Sequence, residues 1–179
     1  MRAERPFHYV TRTSVTCLAP SAAVFDVVTD LRAHLVWSGE RASDPSFKLL
    51  SLDTDQHAAE IGTTFSSTGA NFNGTFHDRS IVTQLVRPTL FTIETDARLE
   101  RRRGETWNVR FVHTYEVAAH GSGSLITYTE TIDRLNYVPY WLAPIVRSFF
   151  RPLVNRADRK QLTNLARLAE ERFGTRPDP

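Results

Sequence analysis

The chain has 179 residues and a formal charge of +2, from 22 Lys and Arg against 20 Asp and Glu. One domain of this size buries about two thirds of its unfolded surface without disulfides or metals, and so nearly balanced a charge gives no nucleic-acid footprint. The single cysteine, Cys17, excludes an intramolecular disulfide and a CxxC zinc site, and no apolar run has signal-peptide length or the roughly 18 residues of a membrane span. A cytoplasmic protein without cofactor is expected, built as one domain over 8–173 with loose tails at 1–7 and 174–179.

In chain order, residues 9–18 alternate as a first strand. Pro20-Ser21 offers a helix start with Ser21 as cap, and Val24, Val27, Val28 and Leu31 follow as one buried stripe. A second helical turn over 32–37, a loop and an edge strand over 47–52 come next. Residues 63–68 and 76–86 flank Asn73-Gly74, a hairpin signal; both faces of 76–86 are apolar, so its inward face stays open. Arg87-Pro88 marks a turn, 90–97 reads as a strand, and 98–103 (RLERRR) reads as a solvated hairpin loop. From residue 143 the pattern is helical to about 173. Pro144 suits a first helical position, whereas Pro152 removes a backbone donor and predicts a break or kink. Val154, Ala157, Leu162, Leu165, Leu168 and Ala169 make its apolar face, with Gln161 near the centre.

The segment 107–134 carries the most specific signal. Odd positions Trp107, Val109, Phe111, Tyr115 and Val117 are apolar or aromatic, as are even positions Ile126, Tyr128 and Ile132 beyond the turn. His113 interrupts the first face and Glu130 the second. A two-residue turn at Gly121-Ser122, with glycine at its first central position, sets His113 opposite Glu130, Phe111 opposite Ile132, and Tyr115 opposite Tyr128. Both apolar faces then lie on one side of the sheet. An ionisable pair among aromatics predicts a cavity wall, because unpaired burial of either group is costly. A carboxylate can orient an imidazole and stabilise its charged form, which makes His113 and Glu130 the candidate catalytic residues, while burial opposes the charge and leaves the protonation state open. The bland alternative is a cross-strand pair that rigidifies the sheet.

Strand, two short helices, six strands and a long last helix resembles the helix-grip fold, and the segments resemble the polyketide cyclase/dehydrase branch of the START-like superfamily. SVTCLAPSAAVFDVVTDL looks like its first strand and helix, EIGTTF like its glycine-to-aromatic strand start, IVTQLVRPTLFTIET like its proline-marked hairpin, and GSGSLITYTETI like its last strand. The resemblance implies an α+β fold in which a curved antiparallel sheet wraps the C-terminal helix around a hydrophobic cavity. It brings no catalytic signature. No HExxH, nucleophile elbow, P-loop or dinucleotide fingerprint is present, so no metal site is expected.

The favoured reading is uptake of a polyketide, isoprenoid or lipid-like molecule by Trp107, Val109, Phe111, His113, Tyr115, Tyr128, Glu130, Ile132, Ala157 and Gln161. One alternative is an aromatase/cyclase or dehydratase using His113 in the same cavity. Another is a membrane-facing lipid carrier using the aromatic stretch 137–153, whose favoured role is packing at the cavity mouth.

Overall fold

The computed structural model describes residues 9–42, 47–71, 74–135 and 143–174. Strand β1 (Tyr9–Cys17) leads to helix α1 (Ser21–Thr29) and a π-helical turn (Leu35–Glu40). Strands β2 (Lys48–Asp53), β3 (Thr64–Asn71), β4 (Gly74–Val86), β5 (Leu90–Arg101), β6 (Thr106–His120) and β7 (Gly123–Leu135) follow, and helix α2 (Ala143–Phe173) closes the chain. The seven strands form one antiparallel sheet in the order β1-β7-β6-β5-β4-β3-β2. Register shifts in β2, β4 and β7 add local twist, and the curved open sheet with its long helix is the helix-grip α+β architecture.

The period of two decides the inward face. In β4, Phe76, Ser80 and Val82 are buried while His77, Arg79 and Ile81 are exposed, which settles the strand whose two faces read alike. Helix α1 is buried almost all round: Val24, Phe25, Val27 and Val28 are inaccessible. Helix α2 lies over β1, α1 and the π-helical turn, burying Leu162, Leu165, Ala166 and Ala169. Its outer end is pinned by Asn164 Nδ2 donating to the carbonyls of Trp37 and Arg41 (3.2 and 3.0 Å), by Arg41 on Glu171, and by Arg172 on Asp30 (2.8 Å).

Several local expectations change. Ser21 does not cap α1: Pro20 occupies the cap position, its carbonyl accepting from Ala23 and Val24, while the buried Ser21 hydroxyl has no partner among the described residues. The second helical turn expected over 32–37 is helical from residue 33 and runs on as a π-helical turn to Glu40. Gly74, expected in the turn, is already a β4 residue paired with Asn71. Strand β5 runs on to Arg101, because Leu99 continues the inward series Ile93, Thr95, Ala97 and is buried; only 102–105 turn. Arg101 then stacks its guanidinium 4.3 Å from the Trp107 ring. Helix α2 passes through Pro152 without the expected break, for a proline forfeits one backbone hydrogen bond while the flanking turns keep theirs.

The β6–β7 turn is the expected one. Gly121 has φ +58, His120 pairs with Gly123, and no non-glycine residue among those described has positive φ. Gly123 itself sits where a Cβ would lie 2.1 Å from the Cys17 carbonyl oxygen. Gly123→Ala is therefore expected to push β1 from β7 and cost about 1–3 kcal/mol, read as a lower urea midpoint; an unchanged midpoint would show that the strands can part there freely.

Candidate ligand site on the concave face of the sheet

Ladder register lines up the site. Val82, Ile93, His113, Glu130 and Thr11 are successive cross-strand partners from β4 to β1, so His113 and Glu130 stand directly opposite each other. The neighbouring row is Phe91, Tyr115, Tyr128 and Thr13, and beyond His113 on the other side Phe111 pairs with Ile132. Trp107, Val109, Phe111, His113, Tyr115, Tyr128, Glu130 and Ile132 thus share the concave face. Val109, Tyr115 and Tyr128 are buried, whereas the other five are inward-facing but partly accessible.

His113 and Glu130 do not bond to each other directly. Tyr128 joins them: its hydroxyl lies 2.7 Å from His113 Nδ1 and donates to Glu130 Oε2 at 3.1 Å. A phenol has one proton, so with that proton on Glu130 its oxygen accepts from Nδ1–H, and Nε2 is left as the acceptor of a neutral imidazole. The rings are layered, His113 near-parallel to Phe111 (5.5 Å, 21°) and to Tyr128 (6.1 Å, 10°).

Burial sets the charge states. It pushes the His113 pKa down to about 4, with His34 adding to the effect, and it pushes Glu130 up more strongly than the Tyr128 hydrogen bond pulls it down. The protonation state that the sequence left open is therefore a neutral imidazole for His113, because the surroundings penalise charge on both groups. Tyr115 and Tyr128 are likewise raised, by burial first and then by the nearby carboxyls, and stay phenols.

The helix contributes a residue that sequence reasoning missed. Asp158 is buried on α2, and its Oδ2 accepts from Thr11 Oγ1 at 3.2 Å. Since Thr11 is the cross-strand partner of Glu130, the two carboxyls approach across the gap between sheet and helix. Burial and then the charge of Glu130 push the Asp158 pKa up. The signal was available: Asp158, Leu162, Leu165 and Ala169 fall at i, i+4, i+7 and i+11 of one stripe. Ala157 is buried as expected; Gln161 is partly buried, and no hydrogen bond among the described residues ties its side chain to the polar row.

Two further groups were also missed. His34 is buried with Nε2 2.8 Å from the Val28 carbonyl, its pKa lowered by burial, and its ring lies 4.8 Å from Trp37, which in turn meets Tyr115 edge-on at 6.2 Å. Asp78 turns inward between Phe76 and Ser80. Ser67 Oγ donates to it at 3.5 Å, and burial raises its pKa to about 6.

The polar row separates two apolar clusters. One gathers α1, α2 and the lower ends of β5–β7; the other is Phe76, Ala97, Leu99 and Val109, with Phe47, Trp107, Phe111 and Ile132 packed on it. The convex face differs. Its open groove of about 500 Å³ is lined by Arg79, Glu94, Asp96 and Arg110, and Arg110 pairs with both Glu94 and Asp96.

The expected mouth at 137–153 lies largely outside the described residues: 136–142 are not described, and only the helical backbone is described over 143–150. Among the described residues, no helix is long and apolar enough to cross a membrane, and no three His, Cys, Asp or Glu are placed to hold a metal ion.

A family model described as polyketide cyclase/dehydrase and lipid transport matches residues 9–170. The chain belongs to that family. Solved structures of the same START-like architecture align over nearly the whole chain. An uncharacterized protein from Rhizobium leguminosarum superposes with a TM-score of 0.63 at 19% identity, covering 92% of this chain and 95% of its own. A Thalictrum flavum norcoclaurine synthase point mutant, solved with a transition-state analogue, gives 0.62 at 15% identity over 94% and 98%. Ara h 8.0201 gives 0.60 at 11% identity over 92% and 99%. At these identities the likeness is one of fold. A search of the curated proteins found no significant match. Binding of a hydrophobic small molecule is the function supported at the level of this cyclase and lipid-transport family.

Proposed function

We propose that this family member takes up an apolar small molecule of polyketide, isoprenoid or lipid-like character between the concave face and α2, the whole of 8–173 acting as one ligand-binding unit. The observation that carries the reading is the hydrogen-bonded polar row of His113, Tyr128 and Glu130, with Asp158 on Thr11, set between two apolar clusters. Buried polar groups are tolerated where they are partnered, and neutral ones offer a ligand carbonyl or hydroxyl a hydrogen bond without the cost of desolvating an ion. Trp107, Val109, Phe111 and Ile132 supply apolar wall; Tyr115, Tyr128, His113 and Glu130 address the ligand's oxygen; Ala157 and Gln161 line the helix side. A cytoplasmic location, with no nucleic-acid partner, belongs to the same proposal, and the free buried thiol of Cys17 favours it.

Titration with 2-acetonaphthone and with 2-ethylnaphthalene, which lacks the carbonyl, tests this together with native mass spectrometry of the purified protein. Saturable one-to-one binding is expected. Tyr115→Phe should weaken the ketone by about 3–10-fold, the worth of one hydrogen bond from its hydroxyl, while leaving the hydrocarbon nearly unchanged. Absence of saturable binding and of any co-purified molecule would overturn the reading. Sedimentation of the protein with liposomes would instead favour the lipid-carrier alternative.

A further inference from the structure

The three hydrogen-bonded groups of the polar row form an unbroken path between two bases. His113 Nδ1 meets the Tyr128 hydroxyl at 2.7 Å, and that hydroxyl meets Glu130 Oε2 at 3.1 Å. Both are within the range in which a proton can hop between heavy atoms. The far nitrogen, Nε2, has no hydrogen bond among the described residues, and the ring carrying it is fixed by its layering between Phe111 and Tyr128. A pair that served only to rigidify the sheet would need no third group between its members. A phenol placed between an imidazole and a carboxyl has a specific capacity: it takes a proton from one as it gives its own to the other.

We propose that His113, Tyr128 and Glu130 are a proton relay that removes and returns a proton on the carbon next to the carbonyl of a bound ketone. This rests on the binding reading above and adds an activity to it. In the forward step the carbon–hydrogen bond breaks, its electron pair becomes the enolate double bond, and the proton forms a bond to His113 Nε2. The Nδ1 proton passes to the Tyr128 oxygen as the Tyr128 proton passes to the Glu130 carboxylate. The net change is one proton moved from ligand to Glu130, with no oxidant or co-reactant. Reversal restores the ketone, and exchange of the Glu130 acid proton with solvent labels it.

The arrangement suits this chemistry. His113 by itself is a weak base, whereas the Glu130 carboxyl, raised by burial, is stronger than an ordinary carboxylate. The relay lends the strength of the buried carboxyl to the nitrogen that meets the ligand. The groups facing Glu130 are Tyr128 on its own strand, His113 and Tyr115 on β6, Thr11 on β1 and Asp158 on α2; His34 faces His113.

The test follows the methyl protons of 2-acetonaphthone by ¹H NMR in D₂O at saturating probe. Wild-type protein should accelerate their loss over buffer, at a rate that climbs with pH as Glu130 ionises and then levels. Tyr128→Phe, which keeps the ring and removes the relay oxygen, and Glu130→Gln should each lower the first-order rate by about 10²-fold, and Glu130→Gln should also abolish the rise with pH. Asp158→Asn leaves the path intact, so the rise with pH should persist; its loss would assign the rise to Asp158 and overturn the relay to Glu130. Exchange in Tyr128→Phe at the wild-type rate, or a wild-type rate equal to that of buffer, overturns the relay while binding of the probe stands. If the probe does not bind, the binding reading and the relay fall together.

Discussion

Ala157→Phe is expected to lower the affinity for an apolar probe such as 2-ethylnaphthalene by at least about 10-fold while the protein still folds cooperatively. Ala157 is buried on α2, next to the Asp158 that reaches Thr11. A phenyl ring added there must enter the space between helix and sheet. If that space holds the ligand, the ring takes its place and destabilises little. If the space is already packed, the ring acts as an overpacked core residue, and stability falls by about 1–3 kcal/mol. Fluorescence titration beside urea denaturation separates the two. Unchanged affinity would move the binding site elsewhere on the molecule.

The second large effect concerns pH. Glu130 and Asp158 both carry pKa values raised above their unfolded values, so the folded state holds protons that the unfolded state releases. Their contribution is fully present below about pH 4, near the unfolded carboxyl values, and is lost as pH rises through the raised ones. Asp78, raised to about 6, acts in the same sense over a lower window. His113, lowered to about 4, acts in the opposite sense: the unfolded imidazole takes up a proton below its ordinary value, so stability falls as pH drops through that window. Asp78 and His113 partly offset each other there, leaving the acid pair dominant on the alkaline side. Asp158→Asn keeps an oxygen for Thr11 and removes the second charge. It is expected to be more stable than wild type by about 1–3 kcal/mol at about pH 9, with the gain vanishing in mild acid. Urea midpoints across pH read this directly. A variant whose stability tracks wild type throughout would mean that the pair is not strained by charge.

Much of this was legible because it is local. Period-two alternation and one glycine turn determine which residues of β6 and β7 face each other, since a slip by one residue would turn every apolar side chain to solvent. His113 opposite Glu130 follows from that alone, as does the shared face with Tyr115 and Tyr128. The stripe of α1, the order of strands and the long last helix are likewise set by short-range patterning, and they sufficed for the resemblance to the family.

What the sequence could not determine depends on groups distant in the chain. Asp158 joins the site only because α2 lies over β1 and brings its carboxyl to Thr11, 147 residues away in sequence. Asp78 turns inward because β5 pairs with β4 on the face that Ala97 and Leu99 bury, and His34 and Trp37 reach Tyr115 through the packing of the π-helical turn. The protonation of His113 and Glu130 was also a tertiary matter. Pattern places an acid opposite a base, but burial between helix and sheet decides that His113 stands neutral and that Glu130 holds its proton to higher pH than an ordinary carboxyl, with the phenol of Tyr128 inserted between the two.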